Sequence, residues 1–323
     1  MPDKSKLNNL AQAIVSTVAY FDIFDYPLTT VEIWKWLYLP DQADGGRVSL
    51  GVVINALDQE ELKKIIDFHY GFYFLAGRQS IIRQRMDKYR ISEIKFKIAL
   101  KVTFYLRRLS LVKMISVCNN VGYNNGSGKS DIDFFIVVKH GRLWISRLLI
   151  TLVTTILGSR RHDKKIINRV CLSFYIGSNS LDLSAIALPS RDIYLAYWLA
   201  TLAPIYGAEY AYNNFLQANS WVKTYLPNFY PVFLTSRRKV ADKIISNSPK
   251  SLAESAWGNF IMNFLDRLAK VIQRGRIKRY FGDKINQDNT NVIISDLMLK
   301  FHKVDRRAEY QDVWRQKILK ILS

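Results

Sequence analysis

Two aspartates one residue apart open an apolar run: Ser130-Asp131-Ile132-Asp133 leads straight into Phe134-Phe135-Ile136-Val137-Val138. In an extended strand, residues two apart project to the same face. Asp131 and Asp133 therefore aim two carboxylates at one point. Carboxylate oxygens are the ligands that hard divalent cations prefer. Such cations can bind a triphosphate and lower the pKa of an attacking hydroxyl. A plainer origin is a pair of turn aspartates at a strand end. Acidic residues are depleted inside strands, however. Two of them, after a Gly-rich loop that itself follows an apolar strand, exceed what turn chemistry explains.

The elements that must hold this pair can be read on either side of it. Leu111–Cys118 reads as a strand, 119–130 as a Gly/Asn/Ser loop and Asp131–Lys139 as the strand that carries the acids. A helix over 142–157, a basic loop over 159–169 and a strand Val170–Ile176 follow. Strands alternating with helices indicate a domain of mixed α and β structure. Within the loop, Asn119, Asn120, Lys129 and Ser130 are the candidates for phosphate contacts. Asparagine can donate hydrogen bonds and tolerates left-handed backbone. Gly128-Lys129-Ser130 has the ending of a phosphate-binding P-loop. Tyr123 stands where the first glycine of that motif belongs, and the segment leads into a strand instead of a helix, which excludes it.

Taken together, the segment Ile115–Val138 resembles the polymerase-β nucleotidyltransferase superfamily. That pattern is an apolar strand, Gly-Ser, roughly ten residues, then Asp-x-Asp on the next strand. The resemblance implies that Asp131 and Asp133 hold two magnesium ions. It also implies that the loop and the helix N-terminus behind it receive the triphosphate. This chain has Asn119-Asn120 where the family has Gly-Ser. The family also places a third carboxylate on a later strand, and Val170–Ile176 contains none. Ser173 takes that inward position in the sequence reading. Asp182, in Leu181-Asp-Leu-Ser184, is the nearest acidic alternative, with Asp163 in the basic loop behind it. The whole chain resembles an uncharacterised bacterial family that joins a winged-helix-like N-terminal region to a nucleotidyltransferase domain and a helical tail. Ala19–Thr29, Gly71–Leu75, Gly141–Trp144 and Leu181–Ser184 carry that resemblance.

The N-terminal third reads as three helices and a hairpin. Leu7, Leu10, Ala11, Ile14, Val15 and Val18 recur at helical spacing, and Pro27 ends the run. Thr29-Thr-Val-Glu32 is a capping box that starts a second helix. A loop over 41–46 leads to a third helix, Ser49 to about Lys63, then two short strands around Tyr70-Gly71. That is the element order of a winged helix. Asp58, Glu60 and Glu61 on the third helix would be repelled by phosphates, so packing, dimerisation or presentation of the catalytic domain is expected of this module.

Residues 79–108 form a basic helical stretch with an apolar stripe of Ile91, Ile94, Ile98, Val102 and Tyr105. Its lysines and arginines, Lys95 among them, are expected in solvent. From Asp192 on the pattern is helical. A stripe of Leu252, Ala256, Trp257, Phe260, Phe264, Leu268 and Ile272 is expected in the core, ahead of the basic cluster Arg274–Arg279. The expected fold is α+β: a winged-helix-like domain over 1–78, a nucleotidyltransferase core with a small mixed sheet over 79–190, and a helical region over 191–323.

Composition narrows the partners. The chain has 323 residues, 49% hydrophobic and 23% charged, with a net charge of +20. That excess calls for an anionic partner. Nucleoside triphosphate and an RNA or other polyanionic acceptor are the expected ones. Cys118 and Cys171 both lie in apolar runs and read as buried thiols in a reducing, cytoplasmic setting. The polar N-terminus has no apolar signal core. Leu143–Gly158 and Ile193–Ala208 fall short of the roughly 20 residues a spanning helix needs, so no membrane is expected as partner. The expected activity is magnesium-dependent transfer of a nucleoside monophosphate to a hydroxyl. The alternative is a catalytically silent copy of the same fold that binds nucleic acid or a partner protein.

Overall fold

Capping residues set the first elements. Asn8 accepts the Ala11 N–H at 2.8 Å and starts α1 (Asn9–Asp22). Thr29 and Glu32 form the reciprocal capping box that starts α2 (Thr30–Lys35), with the Glu32 carboxylate 2.8 Å from the Thr29 N–H. The single third helix expected over 49–63 divides into α3 (Leu50–Leu57) and α4 (Glu60–Lys63), because Gln59 takes an extended ψ of 138°. Strands β1 (Ile66–His69) and β2 (Phe72–Leu75) pair antiparallel around Tyr70 and Gly71, both at positive φ. In this computed structural model the described residues are 7–39, 46–162, 165–189, 191–242, 256–287, 290–302 and 304–322. The loop expected over 41–46 lies outside them save for its last residue, as do Asp163, Lys164 and Leu252 and the side chains at 256 and 257.

Helix α5 (Ile81–Leu106) buries Ser92, Lys95, Phe96, Ala99, Val102, Thr103 and Leu106. This corrects the expected stripe: Val102 belongs to the core, whereas Ile94 and Tyr105 are exposed. The buried line runs one residue off the most apolar one. Small side chains at 92, 99 and 103 let the helix sit close to the sheet. The Ser130 carbonyl draws Lys95 inward, its Nζ donating at 2.7 Å.

The remaining elements are β3 (Val112–Val117), α6 (Asn119–Gly122), β4 (Ile132–Val138), α7 (Leu143–Ile156), β5 (Val170–Gly177), α8 (Ile193–Ala200), β6 (Ala203–Tyr206), α9 (Ala211–Ala218), α10 (Ala256–Phe281), β7 (Val292–Ile294), β8 (Met298–Phe301) and α11 (Arg307–Leu322). Six strands form one mixed sheet in the order β6-β3-β4-β5-β8-β7, and β4 and β5 are its parallel pair. The fold is thus mixed α and β. The region from 191 on is not purely helical as expected, since it contributes β6, β7 and β8. These strands have three or four residues each, too few to display a period of two.

Both faces of the sheet are covered. Met114, Phe135, Val137, Phe174 and Ile176 share one core with the N-terminal helices, α8, α9 and Trp314 of α11. Ile115, Val117, Phe134, Ile136 and Val138 share the other with α5, α7 and α10. Where the chain leaves β6 at Gly207 it passes so close to β3 that a Cβ there would lie 2.0 Å from the Lys113 carbonyl oxygen, at a φ of +72°. No helix among the described residues is long and apolar enough to cross a membrane.

Candidate active site

Strand β4 is apolar on both faces, so its N-terminal edge is where acids can stand. Asp131 lies just before the strand and Asp133 within it, and both are half-buried. The neighbouring register pairs Ile132 with Val170 and Asp133 with Cys171, then slips by one residue before Phe135 meets Phe174. The slip leaves Cys171 level with Asp133. One carboxylate oxygen from each aspartate and the Cys171 sulfur all lie within 4.8 Å of one another.

The third member of the cluster is therefore Cys171. Ser173, expected there, is one pleat further along, with its Oγ 3.4 Å from His302 Nε2. Asp182 is exposed and outside the cluster. Its two oxygens accept the Ser184 N–H at 2.8 Å and the Ser184 hydroxyl at 2.9 Å, so it caps its own turn. Asp163 lies outside the described residues.

Asn119 opens α6 at a φ of +56°, a left-handed conformation that asparagine tolerates. Its amide donates to Asp133 Oδ2 at 2.8 Å, and Trp198 Nε1 donates to its Oδ1 at 2.9 Å. The other loop candidates are spent differently. Asn120 accepts from the Tyr123 hydroxyl at 2.7 Å. Lys129 is exposed. Ser130 Oγ lies 3.1 Å from the Ser127 carbonyl oxygen. Of the four, Asn119 bonds a carboxylate of the pair, whereas Ser130 Oγ reaches the Asp131 backbone carbonyl at 3.1 Å.

Three residues that the sequence does not place against the acids shape the site; one of them, Arg161, belongs to a basic cluster that reads as an acceptor-binding or solvated surface. Arg161, from the basic loop after α7, forms a 2.6 Å ion pair with Asp131 and reaches Cys171 Sγ at 3.7 Å. Lys95 spans from α5 to the Ser130 carbonyl and to Asn168 Oδ1 at 2.9 Å, fixing the entrance to β4. Trp198 orients Asn119. None of these carries a local signal, because each reaches the site from a distant element. Cys171 was closer to legible, since it shares a strand face with Ser173 and needed only the register.

Electrostatics follow from crowding two acids at a buried edge. Burial first, then the charge of Asp131, pushes the Asp133 carboxyl up to about 6, against the Asn119 and Cys171 hydrogen bonds and the Arg161 charge. Burial, with both aspartates adding to it, holds the Cys171 thiol well above its usual range. A cavity of about 210 Å³ adjoins Asn119, walled by Phe174, Tyr194, Trp198, His302 and Tyr310. Buried ion pairs close part of its wall: Lys300 with Asp305 at 3.0 Å and Arg307 with Asp192 at 2.7 Å. Burial drives the His302 imidazole down to about 4, so it is neutral at physiological pH.

The donor set fits one hard divalent cation, held by the Asp131 and Asp133 oxygens with water or phosphate completing its shell. It does not fit two held by protein alone, because the third ligand is a soft, protonated thiol. Compared as a whole, the chain matches no family model, no curated protein and no solved structure.

Proposed function

We propose that the chain is a magnesium-dependent nucleotidyltransferase with a polymerase-β-type core, moving a nucleoside monophosphate from a nucleoside triphosphate to a hydroxyl acceptor. One observation carries the reading: two carboxylates converge at the end of a central strand, one of them with its pKa raised to about 6 by burial and like charge and bonded to Asn119, which lines an aromatic-walled cavity. Perturbed acids beside a cavity are a signature of functional sites. When bound, magnesium would neutralise the triphosphate and acidify the acceptor hydroxyl. Asp131 and Asp133 would hold it. Arg161, exchanging Asp131 for a phosphate oxygen, offers a planar donor to the transferring group. Trp198 and Phe174 give a planar base a surface to lie against. The charge of +20 favours RNA or another polyanion as acceptor.

A second reading, the silent copy, has its own support. Without metal, Asp131 is already paired by Arg161 and Asp133 by the Asn119 amide. The two acids are therefore compensated as they stand. Calorimetry with each of the four ribonucleoside triphosphates, with and without magnesium, separates the readings. The enzyme reading expects magnesium-dependent binding that is lost in Asp131→Ala/Asp133→Ala. Absence of binding by the wild type would leave the silent reading.

A further inference from the structure

Helix α10 has two sides of apolar character, and one of them is largely exposed among the described residues. Its inner side packs on α7. Ala269 and Ile277 are buried there, the Ile145 N–H donates to Asp266 at 2.8 Å, and Gln273 Nε2 donates to the Trp144 carbonyl at 2.8 Å. On the opposite side Phe260, Phe264 and Val271 are 68%, 62% and 72% exposed, and Ile261, Leu268 and Ile272 are exposed with them. The expected core stripe is thus turned to the outside. At about 100° per residue these six fall within an arc of roughly 120°. Arg267 and Arg274 border the arc on one edge and Arg276 on the other, and Lys278 and Arg279 extend it at the C-terminal turn. All five are exposed. Within Ala256–Phe281 six basic residues stand against one acidic residue, Asp266.

A broad apolar surface rimmed by charge marks a contact surface. Its occupant must offer hydrocarbon to the stripe and negative charge to the rim. A second copy docked about a two-fold axis would set two basic rims against each other. A nucleic acid would meet the cations and leave the apolar arc without a partner. An anionic lipid surface answers both demands, with the stripe sunk to the acyl boundary and the guanidinium groups among phosphates. We propose that α10 is an interfacial helix that lays this protein on an anionic membrane surface without crossing it. This inference is independent of the chemistry at Asp131 and Asp133.

The test is flotation of the full chain with phosphatidylcholine vesicles, with and without about a quarter phosphatidylglycerol. Binding to the anionic vesicles should be at least about tenfold tighter than to the neutral ones. It should fall between about 0.1 M and about 1 M salt, as the Debye length drops from ~10 to ~3 Å. Phe264→Glu/Leu268→Glu should weaken it by about tenfold or more. The melting temperature should hold, because both side chains already face solvent. Arg274→Glu/Lys278→Glu should remove the preference for anionic lipid. No flotation of the wild type overturns the proposal, as does equal flotation of the Phe264/Leu268 variant. A dimer in sedimentation that this variant dissolves, without vesicle binding, would assign the face to a second copy instead. RNA binding lost in the same variant, without vesicle binding, would assign it to nucleic acid.

Discussion

Asn119 is the residue on which the chemistry of the site turns. Its amide occupies a carboxylate oxygen that a cation would need, and its backbone already takes the left-handed form that glycine takes freely. Asn119→Gly should free Asp133 Oδ2 and widen the cavity mouth. The variant gives up hydrogen bonds to a carboxylate and to Trp198, so it should lose about 1–3 kcal/mol of stability. If the amide blocks the cation, magnesium-dependent nucleotide affinity should rise about tenfold, since a freed charged acceptor is of the order of 1.4 kcal/mol or more. Calorimetry on this variant beside the wild type reads both effects. Unchanged affinity would mean that the asparagine coexists with the bound nucleotide.

At the scale of elements, α5 is the brace of the acid-bearing strand. Lys95 is fully buried, and its ammonium holds the Ser130 carbonyl immediately before Asp131. Burial lowers its pKa, and the charge of Asp131 opposes that shift. Lys95→Met keeps the aliphatic length but leaves a carbonyl and the Asn168 amide oxygen without their donor. The unpaired acceptors outweigh the relief of removing a buried charge, with an expected loss of about 1–3 kcal/mol in urea denaturation. Metal affinity should fall with it, because the β4 entrance loosens. A second brace ties the N-terminal helices to α5: Arg85 meets Glu32 at 2.8 Å and stacks on Tyr26 at 4.1 Å.

At the scale of the whole molecule, the C-terminal helix closes the fold. Trp314 donates to the Ser16 carbonyl at 2.9 Å, and Lys317 pairs with Asp22, so α11 clasps α1. Arg307 anchors its start, bonded to Asp192, Asp305 and the Ile186 carbonyl, all close to the aromatic cavity. Arg307→Met would strand Asp192 in the core. Breaking a buried pair from one side costs about 3–5 kcal/mol, which chemical denaturation would detect. If α11 forms part of the nucleotide pocket, binding should weaken in this variant even below the temperature at which it melts.

The sequence by itself determined what is local. The capping box at Thr29 and Glu32, the hairpin turn at Tyr70 and Gly71, the alternation of strands and helices and the same-face geometry of Asp131 and Asp133 all depend on neighbours within a few residues. Tertiary structure decided what depends on register and on which face turns inward. The slip between β4 and β5 put Cys171 beside the acids and left Ser173 one pleat away. The close seating of α5 buried Lys95 and exposed Ile94. The packing of α10 by Ala269, Gln273 and Ile277 sent Phe260, Phe264, Leu268 and Ile272 outward, because a helix apolar on two sides does not itself specify which side the core will take. Arg161 and Trp198 reached the site from loops and helices far along the chain, and no spacing in the sequence records that approach.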